Sequence, residues 1–199
     1  GGPPTLFDMQ VGGKQVRAIA HASKNGYLYI LNRETGQPVH PIKEMPVPRT
    51  PARPGEQPWP TQPIPFTASG KPMEPVCPIV PLEIPPEALA KNKIVPQYTP
   101  NNPGQMQAPG TGGGSSYSPI SYSPQTGLLY VAAIDSPTNS GRGPKGYFSA
   151  YDPTTGELVW RQIFEGYGQA GSVVTAGGLV FVGAGSNLAG YFYAYEAKT

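Results

Sequence analysis

The sequence predicts an all-β protein, an arc of a β-propeller built from four-stranded antiparallel blades, and three observations lead there. The 199 residues include 26 Gly and 27 Pro, which interrupt helices, so a helical bundle is excluded. Its 12 Tyr stand with Val, Ile and Phe in short runs that favour strands. A pattern of Gly, aromatic, strand residues, an Asn, Asp or Glu, two variable residues, Thr and Gly also recurs along the chain.

The copies set the order of elements. The first is Gly26-Tyr27-Leu28-Tyr29-Ile30-Leu31-Asn32-Arg33-Glu34-Thr35-Gly36 and the second Gly146-Tyr147-Phe148-Ser149-Ala150-Tyr151-Asp152-Pro153-Thr154-Thr155-Gly156. The third, Gly190-Tyr191-Phe192-Tyr193-Ala194-Tyr195-Glu196-Ala197-Lys198-Thr199, stops before its closing Gly. A second pattern precedes two of them, Thr126-Gly127-Leu128-Leu129-Tyr130-Val131 and Gly177-Gly178-Leu179-Val180-Phe181-Val182. Each unit then reads as a strand, a Gly turn, an apolar strand, a loop, an aromatic strand, an Asp-x-x-Thr-Gly turn and a last strand such as Leu158-Val159-Trp160-Arg161. Four strands in about 45 residues is the arithmetic of a propeller blade. At the turn, Asp152 can accept hydrogen bonds from the backbone just ahead, Pro153 presets φ and Gly156 supplies a positive one. Inner strands packed between blades should be apolar on both faces, as Leu128-Leu129-Tyr130-Val131-Ala132-Ala133 is.

On this reading residues 1–40 form a partial blade, 41–110 a Pro-rich insertion or cap, 111–165 a blade and 166–199 a second partial blade. The insertion gathers Pro58, Pro60, Pro63 and Pro65 around Trp59 and shows no sustained period. Trp59, Ile64, Phe66 and Tyr98 are the apolar anchors expected of a packed cap. Its only helical hint is Glu87-Ala88-Leu89-Ala90-Lys91 after Pro85-Pro86, with proline where a first turn tolerates it. Closed propellers need about four blades or more, so the chain is expected to be an arc of a larger ring.

Composition removes several functions. With 13% charged residues and a net charge of +2, the chain lacks the field that nucleic-acid binding or anionic membranes require. A lone Cys77 builds no intrachain disulfide, four-thiolate metal site or Cys-x-x-Cys-His haem attachment. No run of about 18 apolar residues exists. Thr111-Gly112-Gly113-Gly114-Ser115-Ser116 lacks the Lys-Ser/Thr ending of a phosphate cradle and reads as a connection entering a strand. His21 and His40, without carboxylates in register, read as structural groups. Asp135 reads as a turn cap before Ser136-Pro137, with a place in a central channel as the other possibility.

The stretch Ala150-Tyr151-Asp152-Pro153-Thr154-Thr155-Gly156-Glu157-Leu158-Val159-Trp160 resembles the tryptophan-docking motif, Ala-x-Asp-x-x-Thr-Gly-x-x-x-Trp, of the pyrroloquinoline quinone (PQQ) dependent dehydrogenases. Lys24-Asn25-Gly26 with its following strand, and Trp59-Pro60-Thr61-Gln62-Pro63-Ile64-Pro65, resemble the same family. The resemblance implies an eight-bladed periplasmic quinoprotein that holds PQQ and usually Ca²⁺ on its axis. It implies oxidation of an alcohol or sugar, with electrons passed to quinone or a c-type cytochrome. Trp160 would then be a structural clasp between blades. Lys24 matches a basic residue that contacts the ortho-quinone oxygens, where a fixed cation stabilises the negative charge that reduction places on oxygen.

Ser116 and Tyr117 stand where the family usually reads Asn-Trp, and Gln169-Ala170-Gly171 where many members place Trp-Gly-Gly. By the resemblance Ser116, Tyr117 and Gln169 join Lys24 on the cofactor face. The aspartate that serves the family as base, and its Ca²⁺ ligands, are implied upstream of the segment matched by Pro4-Thr5-Leu6-Phe7-Asp8. Nearness alone does not make Asp8 that base. The rest of the ring is expected from the parent chain or another subunit. The rival reading is a noncatalytic propeller scaffold that binds protein partners.

Overall fold

The computed structural model describes residues 2–51, 53–168, 170–185 and 189–199. In chain order the elements are β1 Thr5–Val11, β2 Lys14–Ala22, β3 Leu28–Asn32, β4 Ile42–Pro46, β5 Thr61–Pro65, α1 Pro86–Leu89, β6 Lys93–Ile94 and β7 Gln105–Met106. They continue with β8 Ser121–Ser123, β9 Leu128–Asp135, β10 Lys145–Asp152, β11 Glu157–Glu165, β12 Ser172–Val174, β13 Leu179–Gly185 and β14 Gly190–Glu196. The chain is thus nearly all β, as its sequence predicts. Its one described helix is the single turn after Pro85-Pro86.

Three antiparallel sheets dominate: β1-β2-β3, then β11-β10-β9-β8, then β12-β13-β14. They stack face to face. One core, between the first and second sheets, joins Phe7, Ala20 and Ile30 to Leu129, Val131 and Tyr151, with Met73, Val76 and Cys77 supplied from the Pro-rich segment. The other, between the second and third, joins Tyr130, Phe148 and Ala150 to Val180 and Val182. β9 therefore meets apolar neighbours on both faces, and all eight of its residues are buried. That is the physical reason its sequence runs apolar without alternating.

The first strands of the sheets lie side by side. Thr5 Oγ1 donates to Ile120 O at 2.6 Å, Ser172 N–H donates to Pro119 O at 3.2 Å, and the Ser121 and Ser172 hydroxyls share a bond of 2.7 Å. The repeat works through its turns. Asp152 Oδ1 accepts the Thr154 N–H at 2.8 Å, and Gly156, at φ +78°, returns its N–H to Asp152 O at 2.7 Å. Asn32 does the same in the first copy, accepting the Glu34 N–H at 2.8 Å while Gly36 N–H reaches Asn32 O at 2.8 Å.

Two features differ from the four-stranded template. Where a fourth strand would follow β3, the chain makes only a bridge between Leu31 and Pro38, flanked by Asn32 N–H donating to Gln37 O at 2.8 Å and Val39 N–H to Ile30 O at 3.0 Å. The Pro-rich segment, read as lacking a period, holds the antiparallel pair β4-β5 and the short parallel pair β6-β7. The prolines within these strands, Pro46, Pro63 and Pro65, fall on strands with only one partner, where a missing donor is tolerated. The segment is pinned by His40, whose Nε2–H donates to Pro153 O at 2.7 Å. Arg161 of β11 adds bonds to Pro75 O, Ser149 Oγ and the Tyr151 hydroxyl.

Candidate functional site

Loops from all three sheets meet at the end where β2 and β9 finish. The β2–β3 turn is closed by Ser23 N–H donating to Tyr27 O at 2.9 Å and Gly26 N–H to Ser23 O at 3.0 Å. Gly26 takes φ +85°, and a side chain there would press on Ile79 and Pro109. Asn25 organises the turn. Its Oδ1 accepts the Tyr27 N–H at 3.1 Å and its Nδ2 donates to the Tyr29 hydroxyl at 2.9 Å. The Pro-rich segment braces this turn from outside: Gln97 Nε2 donates to Asn25 O at 2.6 Å, Tyr29 to Pro63 O at 3.0 Å and Val76 N–H to Gly26 O at 2.8 Å. Lys24 is left exposed on the crest. No described carboxylate forms an ion pair with it.

Segment 110–118 runs directly behind this turn. Gly114 exchanges both backbone bonds with Ile134, at 2.9 and 3.0 Å, and Ser115 N–H donates to Ser23 O at 3.2 Å. Ser116 is buried and Tyr117, at 73% exposed, projects its ring into solvent. The Ser115 and Ser118 hydroxyls are buried without a protein hydrogen-bond partner among the described residues. Gln169 lies outside the described residues. Its neighbour Gly168 packs against Ala133 O and Gly146 at the same end of the second sheet, and Gly171 packs against Pro119. The fold thus brings Lys24, Ser116 and Tyr117 onto one end of the stacked sheets.

Sequence reading missed one element of this wall. Asp135 is buried and ion-paired through Oδ2 to Arg142, so it anchors loop 136–144 instead of capping the turn at Ser136-Pro137. Burial pushes its carboxyl pKa up, and the Arg142 guanidinium offsets only part of that. Oδ1 has no protein partner among the described residues. Lys145, at the start of β10, pairs with Glu83 and so ties the second sheet to the Pro-rich segment. An arginine seven positions along a glycine-rich loop carries no local signal that it will turn back on Asp135.

The remaining polar residues are committed elsewhere. Asp8 pairs with Arg33 at 2.9 Å. Burial pushes the His21 pKa down. Among the described residues no cluster of three His, Cys, Asp or Glu side chains is placed to hold a metal. Cys77 is fully buried beside an apolar groove of about 450 Å³ whose walls include Ile79, Val80, Leu82, Tyr147 and Ile163. None of the predicted site residues lines that groove. Burial pushes the Cys77 thiol up to about 12, so the thiolate that reacts is nearly absent near neutrality. Cys77 is therefore expected to resist a thiol reagent at pH 8 until the protein is unfolded. Stoichiometric labelling of the native protein within minutes would contradict that burial.

The wall at this end presents an ammonium without an ion pair among the described residues and an open aromatic ring, with serine hydroxyls buried behind them. Such a set suits one edge of a flat, anionic, oxygen-rich ligand. Comparison with known proteins gives the chain a family context. Residues 1–140 match the family model described as PQQ: Glucose/ethanol/alcohol dehydrogenase, beta-propeller domain. The quinoprotein alcohol dehydrogenase PedE of Pseudomonas putida is 30% identical over 98% of this chain and 30% of its own length. A lanthanide-dependent methanol dehydrogenase of Methylacidiphilum fumariolicum is 28% identical over 98% of this chain and 31% of its own. Among solved structures, the quinohemoprotein alcohol dehydrogenase of Comamonas testosteroni superposes with a TM-score of 0.59 at 24% identity, covering 100% of this chain and 29% of that one. The chain spans about a third of the length of the curated relatives it matches.

Proposed function

The chain belongs to the beta-propeller domain family of the PQQ-dependent glucose, ethanol and alcohol dehydrogenases, and on that premise we propose that it is part of an enzyme that oxidises an alcohol hydroxyl with bound PQQ. The observation that carries the proposal is the exposed, unpaired Lys24 on a turn braced from two sides. PQQ, when bound, supplies an ortho-quinone that accepts two electrons from the substrate carbon.

The role of this chain in that reaction is electrostatic and positional. The Lys24 ammonium sits on a short, hydrogen-bonded turn, so little reorganisation is needed to place it against an oxygen that gains negative charge. Ser116, which is buried in the wall behind Lys24, is assigned to the cofactor face by the family resemblance. Tyr117 supplies a ring for a flat ligand to lie against, and the family resemblance alone adds Gln169 to the set. The base that takes the substrate proton, and the Ca²⁺ or other metal ion, are assigned to parts of the enzyme beyond these residues. The substrate class is an alcohol, with a sugar hydroxyl the finer alternative, and the electron acceptor is a c-type cytochrome or a quinone. The proposal includes a periplasmic location, which the family resemblance implies.

The test is Lys24→Ala in the complete enzyme. PQQ-dependent alcohol oxidation is expected to fall about a hundredfold, the scale seen when one preorganised donor is removed from a developing oxyanion. The thermal midpoint should stay within about 2 °C, because an exposed lysine contributes little to folding. Activity within twofold of wild type would refute the assignment of Lys24. Absence of PQQ from the wild-type enzyme, even after reconstitution, would favour the noncatalytic scaffold, for which Ser116 and Tyr117 in place of the family's Asn-Trp already speak.

A further inference from the structure

Asp135, at the end of β9, is a buried carboxylate on the far side of the segment that backs Lys24. The Asp135 side chain is 1% exposed and that of its partner Arg142 10%. Arg142 also donates from Nε to Leu82 O at 3.0 Å and from Nη1 to Gly143 O at 2.9 Å. These bonds fold loop 136–144 back over segment 105–114. There Thr138 N–H donates to Gln107 O at 3.1 Å, Gln107 N–H to Thr138 Oγ1 at 3.1 Å, and Asn139 Nδ2 to Gln105 O at 2.7 Å. Gly110 fits so closely under Ser136 that a side chain would strike the Ser136 carbonyl. Onward, Gly113 N–H reaches Gly110 O at 2.9 Å, and Gly114 lies against the carbonyl of Lys24. Backbone contacts lead from Asp135 to Lys24 without a gap.

Burying a carboxylate with one oxygen unpartnered by protein is costly, and a plain loop anchor does not need it. A rigid ion pair does what a flexible cap would not: it fixes a loop in one place. We propose that Asp135 is a positioning residue for Lys24, acting through loop 136–144 and segment 105–114 to hold the lysine turn at one height above the cofactor face. The proposal rests on the reading of Lys24 as a PQQ contact.

A double-mutant cycle in the complete enzyme tests it, with PQQ as the titrated ligand and its bound absorption band as a second readout. Asp135→Asn alone is expected to weaken PQQ binding about tenfold and to shift the band in the same direction as Lys24→Ala. In a Lys24→Ala background the same change should weaken binding less than about twofold, because residues that act as a unit do not add. An equal loss in both backgrounds would make Asp135 merely structural and overturn the proposal. If Lys24→Ala leaves PQQ affinity unchanged, the reading of Lys24 itself has failed, and the positioning role falls with it. Should Asp135→Asn not fold, Thr138→Val cuts the same path at Gln107 and spares the ion pair. It is expected to cost a few-fold in affinity only when Lys24 is present, and no change there would also overturn the proposal.

Discussion

Trp160→Ala is expected to lower the unfolding free energy by about 3 kcal/mol, in the range for removing a large aromatic from a packed interface. The ring sits between two sheets. Its centroid lies 5.6 Å from Phe148 in an edge-on contact, 5.9 Å from Tyr130 and 6.1 Å from Tyr195 of β14. Its Nε1–H reaches Ala197 O at 3.4 Å, an acceptor that also takes the Tyr130 hydroxyl at 2.8 Å. Alanine would open a cavity where the second and third sheets meet and leave that carbonyl with one donor. Trp160→Phe separates the two effects, since it keeps most of the ring and loses only the N–H; it should cost about 1 kcal/mol. Urea denaturation measures both. A loss under about 1 kcal/mol for Trp160→Ala would mean that the rest of this core, Tyr130, Phe148, Val180 and Val182 among it, holds the sheets without the indole.

Where residues act on near neighbours, the fold was legible in the sequence. Asn32 and Asp152 accept from N–H groups two residues ahead, and Gly36 and Gly156 close their turns with positive φ, so the repeat announces itself as a string of letters. The run from Leu128 to Ala133 has no polar face because sheets cover both of its sides. What stayed hidden depends on partners far away in the chain. Lys145 meets Glu83 across 62 residues, and Arg161 meets Pro75 across 86, pairings that no local pattern encodes. β4 and β5 escaped notice because their prolines mimic a loop and the residues between them carry no hairpin signal. For the candidate site, Lys24 and Ser116 were singled out by family resemblance more than by physics. An exposed lysine beside Asn-Gly looks like any solvated turn until Gly114 and Gln97 are seen holding it.

Gly114→Ala should do more damage to the candidate site than loss of any one side chain in it. Gly114 sits at φ +67°, a conformation that costs an L-residue about 1–2 kcal/mol. The strain is compounded by collision. An added methyl group would run into the Lys24 carbonyl and lie 2.6 Å from Ser23 O. These are backbone atoms, so no rotamer change relieves the contact. On one side the Lys24 turn is pinned by Gln97 and Val76; on the other, Gly114 is bonded both ways to Ile134. One of the two must give, and either movement separates the lysine turn from the Ser115–Ser116 wall. The expected result is a loss of about 3 kcal/mol in stability together with PQQ affinity too weak to measure under conditions that saturate the wild type. Gly112→Ala is the matched control: it lies two residues earlier in the same glycine run, has no positive φ, and a methyl group there would meet nothing within 4 Å. It should be silent within about 0.5 kcal/mol. If Gly114→Ala proved equally silent in denaturation and in PQQ titration, the close approach of this segment to the lysine turn would be wrong, and the candidate site built on it would have to be abandoned.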